Sequence, residues 1–402
     1  MLMDIQVILA ILFVLFLTIF LIVKRKQIVL QKIIHPVLYM VMYKSKFGID
    51  FINKTAEKYR EPIKFFGYCC IGLGFLGMIY VTVSIFLFLY MLVVTPVSVP
   101  GVSLVLPFTN IPGVGYLSFL HWIVAIFFLA LVHEFSHAIV AKAHGLEIKS
   151  SGFAFLCVFV PLIPAAFVEP DEKKLSRHSD VVQYSIFAAG PMMNIFIALI
   201  LLLAFPFVLD SNKLAPFEGK ITEPIGFSFD INNESMPASQ AGLKSGMIVT
   251  SFNGKEVKDA SLFVESMYYR VNSGDIVTLK ADGKDYSVKT IDSNGKPLIG
   301  VNNIKNERRM AAKYEAIKQP YYWTKGLIKW LFLLNFFIGL FNLLPLGIVD
   351  GGLMMGTMLK STMKDGKKAK KIWGFISFIL LAILIFGLIS TYFGNPFAWF
   401  VK

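Results

Sequence analysis

The sequence is poor in charged residues. Only 16% of its 402 residues are Asp, Glu, Lys or Arg, whereas 56% are hydrophobic. Soluble domains carry charge on about a quarter of their residues. So small a charged fraction excludes an ordinary soluble protein and indicates an integral protein of the cell membrane.

Cysteine is scarce as well. The three residues Cys69, Cys70 and Cys157 all lie in apolar stretches, and their spacing is not that of a metal site. We interpret them as small buried hydrophobic side chains.

The positive charge does not have the pattern of a nucleic-acid-binding protein. The net charge is +13, but the interleaved basic and aromatic residues typical of RNA binding are absent. The basic residues instead fall in loops beside apolar runs, as they do in membrane proteins. We therefore expect a lipid bilayer as partner and no nucleic acid.

Six apolar runs are long enough to cross a bilayer as helices. They lie near 5–23, 67–95, 120–143, 181–209, 324–346 and 372–392. A further stretch, 151–168, is rich in Phe and Val but is interrupted by Pro161 and Pro164, which favours an extended re-entrant hairpin. The predicted fold is a polytopic α-helical membrane protein with about six transmembrane helices and one re-entrant segment.

The distribution of basic residues predicts the orientation. The loops 24–64 and 360–371 are densely basic, whereas 96–119 carries no charge. Because basic loops stay in the cytoplasm, the multi-pass chain is expected to have 24–64 inside. Six spans then place 144–180 and 347–371 inside and 210–323 outside.

One stretch, 215–302, differs in composition from the rest. It is polar and punctuated by glycine, and its short alternating runs are typical of strands and turns. We predict a small soluble domain of α+β or β-rich type, inserted between the fourth and fifth spans and lying outside the cytoplasm.

The third apolar run carries three ionisable residues, His133, Glu134 and His137. Each costs on the order of 3 kcal/mol at the centre of a bilayer, so the group needs a function. Residues four apart share one face of a helix, and two imidazoles at that spacing can bind one zinc ion while the Glu polarises a water. The alternative is a pair of histidines bonded to neighbouring helices, and it is disfavoured inside an apolar span.

A catalytic zinc needs a third protein ligand. The two carboxylates that qualify are Glu169, at the end of the re-entrant stretch, and Asp350, just beyond the fifth span. Glu169 is expected at the membrane interface. Asp350 is expected at a depth similar to that of the histidines, and we favour it.

The sequence here resembles a known family. "HEFSH" and "NLLPLGIVDG" are similar to the paired HExxH and NxxPxxxxDG motifs of the site-2 protease family of intramembrane metalloproteases, and "AAGPMMN" also resembles a family segment. The resemblance implies one Zn²⁺ per chain, held by His133, His137 and Asp350, with Glu134 as general base and acid. It further implies that transmembrane proteins are the substrates and that they are cut within their helices, in regulated intramembrane proteolysis.

The resemblance divides the chain into five parts. They are an N-terminal transmembrane region with a basic cytoplasmic loop (1–119), the first half of a catalytic membrane core (120–209), the inserted domain (215–302), the second half of the core (320–360) and a C-terminal transmembrane helix (372–402). The active site is expected toward the cytoplasmic side.

Several residues are candidates for substrate binding. Pro345 is expected to break the fifth span beside the metal. Asn342 and Asn194 either hold a substrate backbone or bond to a neighbouring helix. An unwound substrate would pair with an extended segment such as 151–160, which contains Gly152 and Phe153, unless 151–168 only plugs the cavity.

The inserted domain resembles a PDZ domain. The segment around Ala241-Gly242-Leu243 is similar to the place where a short PDZ helix opens, with a strand next and a turn at Asn253-Gly254. Ile225-Gly226-Phe227 resembles the carboxylate-binding loop, which implies a C-terminal peptide as ligand. The alternative is a domain that only shields the site.

Two other functions remain open from the sequence. One is a membrane metalloprotease that acts on loops or tails, and the other is a non-catalytic, metal-stabilised PDZ scaffold. Glu134 argues against the scaffold, because a structural zinc site needs no base.

Overall fold

The computed structural model describes residues 5–34, 38–94, 102, 104–111, 114–158, 160–203, 216–231, 233–293, 295–347 and 349–394. The chain divides into two compact units. The first comprises residues 1–204 and 326–402, and the second comprises residues 205–325.

The first unit is mainly helical. Its helices are α1 (Ile5–Val23), α2 (Ile49–Lys58), α3 (Arg60–Val94), α4 (Phe119–Ala143), α5 (Glu172–Leu175) and α6 (Asp180–Leu202), followed after the second unit by α10 (Lys318–Asn342), α11 (Asp350–Thr362) and α12 (Gly366–Phe393). A 3₁₀ turn, Arg25–Gln27, follows α1. The start of α10, up to Lys325, and the 3₁₀ turn that precedes it, Ala312–Ile317, belong to the second unit.

Six helical stretches of the described chain are long and apolar enough to cross a membrane. They are Ile5–Val23, Arg60–Val94, Phe119–Ala143, Asp180–Leu202, Ala312–Asn342 and Gly366–Phe393. The six predicted spans are confirmed, and the protein is a polytopic membrane protein. One cysteine was misjudged, because Cys69 is exposed on α3 while Cys70 and Cys157 are buried.

Helix α4 has well-defined ends. Ser118 precedes it in an extended conformation, and its hydroxyl accepts a hydrogen bond from the His121 amide. Gly145 follows at φ +88°, a left-handed conformation that ends helices, and the Arg60 guanidinium donates to the Ala143 carbonyl at 3.0 Å. Both ends are thus fixed, which sets the position of His133 and His137 along the helix.

Four strands form a sheet in the first unit. They are β1 (Ile28–Ile34), β2 (Leu38–Ser45), β5 (Ile148–Val158) and β6 (Val160–Pro170), in the antiparallel order β1-β2-β5-β6. The extended hairpin predicted over 151–168 is therefore present as β5 and β6, while its re-entrant depth stays a prediction. The basic loop 24–64 contributes β1 and β2, which were not predicted because its charge obscured short apolar runs. A separate small hairpin consists of β3 (Thr109–Ile111) and β4 (Gly115–Leu117).

The break predicted in the fifth span is present. Helix α10 ends at Asn342 and α11 begins at Asp350. Between them Leu343, Leu344 and Leu346 are fully or almost fully buried. A proline in this stretch removes a helical hydrogen-bond donor, so the chain turns and re-enters a helix with Asp350 at its first position.

The second unit is built on one sheet. Its strands are β7 (Thr222–Asp230), β8 (Val249–Phe252), β9 (Lys255–Glu256), β10 (Ile276–Ala281), β11 (Lys284–Lys289) and β14 (Asn302–Met310), in the order β11-β10-β8-β7-β14 with β9 paired to β8. Its helices are α7 (Pro216–Ile221), α8 (Pro237–Gln240) and α9 (Ser261–Tyr269), and β12 (Ile291–Ser293) pairs with β13 (Lys296–Leu298). The sheet continues beyond the boundary predicted at 302, because β14 pairs with β7.

One helix of this unit was predicted at the wrong place. The segment Ala241-Gly242-Leu243 does not open a helix but follows α8, which starts with Pro237 in its first turn. Gly242 has φ +90° and ends the helix, as glycine commonly does. The predicted turn at Asn253-Gly254 is present, with φ of 48° and 76°, and it joins β8 to β9.

Candidate metal centre

Helix α4 brings two imidazoles together. His133 and His137 lie one turn apart, and their Nε2 atoms are 3.1 Å from each other. Their ring centroids are 4.6 Å apart and the rings are nearly perpendicular. Both Nε2 atoms therefore point at the same small volume, which is the arrangement that two ligands of one metal require.

Asp350 completes the group. Its Oδ2 lies 3.0 Å from His133 Nε2 and its Oδ1 lies 3.4 Å from His137 Nε2. One donor atom from each of the three residues lies within 4.8 Å of the others, so the group can hold a metal ion. Two imidazoles and one carboxylate are the ligand set of catalytic zinc sites, which leave a fourth position open. The donor set thus fits the zinc implied by the sequence.

Helix α6 supports the histidines from behind. The Nδ1 atom of His137 lies 2.6 Å from the Ile186 carbonyl oxygen. Such a hydrogen bond places the proton on Nδ1 and leaves Nε2 free for a metal. A backbone carbonyl carries no side-chain signature, so the sequence alone could not identify this partner.

Gly190 on α6 has a role that the sequence analysis missed. A Cβ atom built at this position would lie 2.3 Å from His137 Nε2, so any larger residue would displace the ligating nitrogen. The glycine allows α6 to approach α4 closely enough to meet the imidazole. The signal was present in the "AAGPMMN" segment, whose glycine had been given no physical role.

Glu134 lines a cavity together with the donor residues His133 and Asp350, but it is not a member of the donor group. The cavity has a volume of about 330 Å³, and its lining includes His133, Glu134, Asn342 and Asp350. The Val168 amide on β6 donates to Glu134 Oε2 at 3.2 Å. This hydrogen bond holds the carboxylate at the cavity that His133 and Asp350 also line.

Glu169 lies elsewhere. Its Oε2 accepts from Lys44 Nζ at 2.7 Å and from the Ser150 hydroxyl at 2.6 Å. These hydrogen bonds, with that of Lys44 as the largest cause, hold the pKa of Glu169 below its ordinary value. The ion pair ties β2 to β6, and among the described residues Asp350 is the carboxylate grouped with the two histidines.

The turn before Asp350 packs so closely against the start of α11 that the two residues after Asp350 must be glycines. A Cβ at Gly351 would lie 2.2 Å from the Leu343 carbonyl oxygen, and one at Gly352 would lie 2.0 Å from that of Leu346. Helix α12 supports the same turn, since Trp373 Nε1 donates to the Gly352 carbonyl at 2.7 Å. Trp373 was missed because nothing in the sequence connects it to the motif.

The other candidate residues fall into different places. Asn342 lines the cavity, whereas Pro345 is buried in the turn between α10 and α11. Asn194 is completely buried on α6, next to His133. Of the two alternatives for Asn194, the structure favours a bond to a neighbouring helix over contact with a substrate.

Strand addition at 151–160 does not fit the sheet. Gly152 lies on β5 opposite Lys44 of β2 on one side and Phe167 of β6 on the other. Phe153 on the same strand is also paired on both sides. A strand inside a sheet has no free backbone groups for a substrate, so the expectation for these two residues is corrected.

The predicted carboxylate-binding loop is corrected in the same way. Ile225, Gly226 and Phe227 lie within β7, between β8 and β14. Phe227 is fully buried, and a Cβ at Gly226 would lie 2.0 Å from the Val249 carbonyl oxygen. The glycine is needed for close contact between strands, and among the described strands β7 is not at an edge of the sheet.

The identity of the third ligand can be tested with two variants. Asp350→Ala removes a donor atom, and we expect zinc affinity to fall by at least about 100-fold. Glu169→Ala removes only an ion pair, and it should leave affinity unchanged. The measurement is chelator competition on the purified protein in detergent. Retained affinity in Asp350→Ala with loss in Glu169→Ala would assign the ligand to β6 instead.

Comparison with known proteins agrees with this geometry. An uncharacterised protein of Methanocaldococcus jannaschii is 32% identical over 234 residues, which cover 57% of this chain and 54% of that protein. A protein of Neisseria meningitidis serogroup A, named "Putative zinc metalloprotease", is 26% identical over 206 residues, which cover 45% of this chain and 44% of that protein. The matched part spans about half the length of these curated relatives.

A family model described as peptidase family M50 matches residues 121–384, which is more than half of the chain and includes all four residues of the centre. The resemblance seen in the two motifs is thereby confirmed. The chain belongs to peptidase family M50, the site-2 protease family of membrane metalloproteases.

Proposed function

We propose that the protein is an intramembrane zinc metalloprotease that hydrolyses peptide bonds within the transmembrane helices of membrane-tethered proteins. The observation that supports this most is the position of Glu134, which shares a cavity with the donor residues His133 and Asp350 without being a donor itself. A scaffold that held zinc for structure alone would need no such carboxylate.

Each residue of the centre has a role in this proposal. His133, His137 and Asp350 would hold a zinc ion, which when bound would supply Lewis-acid chemistry and acidify water. Glu134 takes a proton from the attacking water and passes it to the nitrogen of the leaving peptide. The Val168 amide, which donates to Glu134, keeps the carboxylate pointing into the cavity.

A helical substrate must unwind locally, because its own hydrogen bonds and side chains cover its peptide bonds. We infer that the unwound segment pairs with β6, the terminal strand of its sheet. Val168 directs its amide to Glu134 rather than into the sheet. Backbone N–H groups two residues apart on a strand point to the same side. The N–H group of Ala166, which also lines the cavity, is therefore expected to point away from β5 as that of Val168 does. A substrate on this edge would lie beside the centre.

Asn342 is proposed to assist in binding the substrate. Its side chain lines the same cavity as Glu134 and Asp350. An amide offers donors and an acceptor, which match the backbone groups that unwinding exposes.

The role of Glu134 is tested by Glu134→Gln. The amide keeps the shape of the carboxylate but cannot accept a proton, so we expect zinc to remain near one ion per chain while cleavage falls by about 10²–10⁴-fold. The measurement combines metal analysis with cleavage of a helical reporter peptide in detergent. Near-normal cleavage by this variant would exclude Glu134 as the base.

The sidedness of the chain is also a proposal. We infer that 24–64, 144–180 and 347–371 are cytoplasmic and that the second unit is not, because the first and last of these loops are densely basic. The active site would then open toward the cytoplasmic half of the membrane.

Single cysteines test this orientation in a background from which the native cysteines have been removed. Replacements of Ser45 and Asp365 should react with a membrane-impermeant maleimide only from the cytoplasmic face. A replacement of Lys255 should react only from the opposite face. Labelling of position 255 from the cytoplasmic face would reverse the assignment.

The second unit is proposed to bind the C-terminal end of a peptide, at a place other than the one predicted. A cavity of about 230 Å³ lies between α9 and residues 296–304, and its lining includes Val264, Lys296 and Ile304. Strand β14, on which Ile304 lies, is the terminal strand of the sheet, and among the described strands it pairs only with β7. An added peptide strand would find free backbone groups there, and the Lys296 ammonium would attract its carboxylate.

This groove can be tested with a fluorescent peptide that ends in an apolar residue and a free carboxylate. Val264→Asp places a charge in the groove, and we expect at least about tenfold weaker binding to the full-length protein. Ile276→Asp alters another exposed apolar residue outside the groove and serves as the control. If Val264→Asp bound the peptide as tightly as Ile276→Asp, the site would not be this groove. If an amidated peptide bound the wild-type protein as tightly as the free acid, the groove would not recognise a chain end.

A further inference from the structure

Asn194 lies directly behind the metal centre. Its side chain has no exposed surface, and its Nδ2 atom lies 3.4 Å from Nδ1 of His133. Its Oδ1 atom is buried and has no hydrogen-bond partner among the described residues. A buried amide oxygen without a partner costs about 1–3 kcal/mol, so its position calls for a physical reason.

The chemistry of a bound metal explains the unpartnered oxygen. His133 directs Nε2 at Asp350 and at His137, so a metal in the group would bind Nε2 and the proton would sit on Nδ1. An amide nitrogen facing that proton would place two donors against each other. Rotation of the amide by half a turn exchanges the positions of its oxygen and nitrogen atoms. The rotated amide would accept from His133 Nδ1 through Oδ1.

Helix α10 packs closely against α6 at Asn194. A Cβ built at Gly339 on α10 would lie 2.9 Å from Ile195 Cγ1, 3.0 Å from the Pro191 carbonyl oxygen and 3.3 Å from Asn194 Cβ. The two helices are thus in close contact at this point. The backbone of α6 at Asn194 is therefore held against α10, and the buried amide lies beside His133.

We propose that Asn194 is a positioning residue of the metal centre: its Oδ1 accepts a hydrogen bond from Nδ1 of His133 and so directs Nε2 at the metal. Helix α6 would then supply a partner to both histidines, since the Ile186 carbonyl does the same for His137. A metal-binding imidazole usually donates its second N–H in this way. The inference rests on the proposed zinc site and assigns Asn194 to the metal instead of the substrate.

The test is the zinc affinity of the full-length protein in detergent, measured by chelator competition without any substrate. Asn194→Leu keeps the size of the side chain and removes its polar atoms, and we expect zinc binding about 10- to 100-fold weaker. The matched control is Asn335→Leu. Asn335 is a second completely buried asparagine whose Oδ1 also has no partner among the described residues, and it lies on α10. The control variant should bind zinc within about threefold of wild type.

Asn194→Asp decides between an acceptor and a donor. Aspartate keeps the oxygen but loses the amide N–H groups, so it should restore zinc affinity to within about threefold of wild type or exceed it. If Asn194→Leu does not fold, the aspartate variant decides alone. Affinity in Asn194→Leu within threefold of wild type, or affinity in Asn194→Asp at least tenfold below it, would overturn the inference. A wild-type protein that binds no zinc would instead overturn the proposed function.

Discussion

The constraint on which the structure depends is that polar groups placed among membrane helices must satisfy one another. His133, Glu134 and His137 lie on a helix whose residues are mostly apolar, and an ionisable group at the centre of a bilayer costs about 2.5–3.5 kcal/mol. The two histidines meet Asp350, and Glu134 meets the backbone of β6. Helix α11 and strand β6 are therefore each positioned by a contact with a polar side chain of α4.

Close packing makes these contacts possible. Gly190 lets α6 approach His137, and Gly339 lets α10 approach α6 at Pro191. Small residues allow helix backbones to come near one another in membranes, where apolar burial does not drive helix association. The turn at Gly351 is equally tight, and it sets the first residue of α11 against the histidines. The metal centre and the packing of the helices are thus parts of one arrangement.

Much of this arrangement could be predicted from the sequence, because its signals are local. The spacing of His133 and His137 fixes a shared helix face, and the apolar runs fix the spans. Asp350 was chosen correctly over Glu169 as the carboxylate near the histidines, since the expected depth of each residue was enough to separate them.

What could not be predicted depends on contacts between distant segments. The pairing of β2 with β5 turned the expected edge at Gly152 into the interior of a sheet, and no local pattern reports such pairing. The same holds for Phe227, whose strand lies between two others. Gly190 had a visible motif, but its role follows only from the distance between two helices.

The proposed activity is zinc-dependent cleavage of a peptide bond inside a membrane helix. The most direct measurement follows cleavage of a helical reporter by the purified protein in detergent while zinc is removed with a chelator and then restored, with the products mapped by mass spectrometry. We predict that cleavage stops without zinc, returns with one zinc ion per chain, and occurs within the helical segment. Cleavage that continues without zinc, or that occurs only in the flanking tails, would contradict the account.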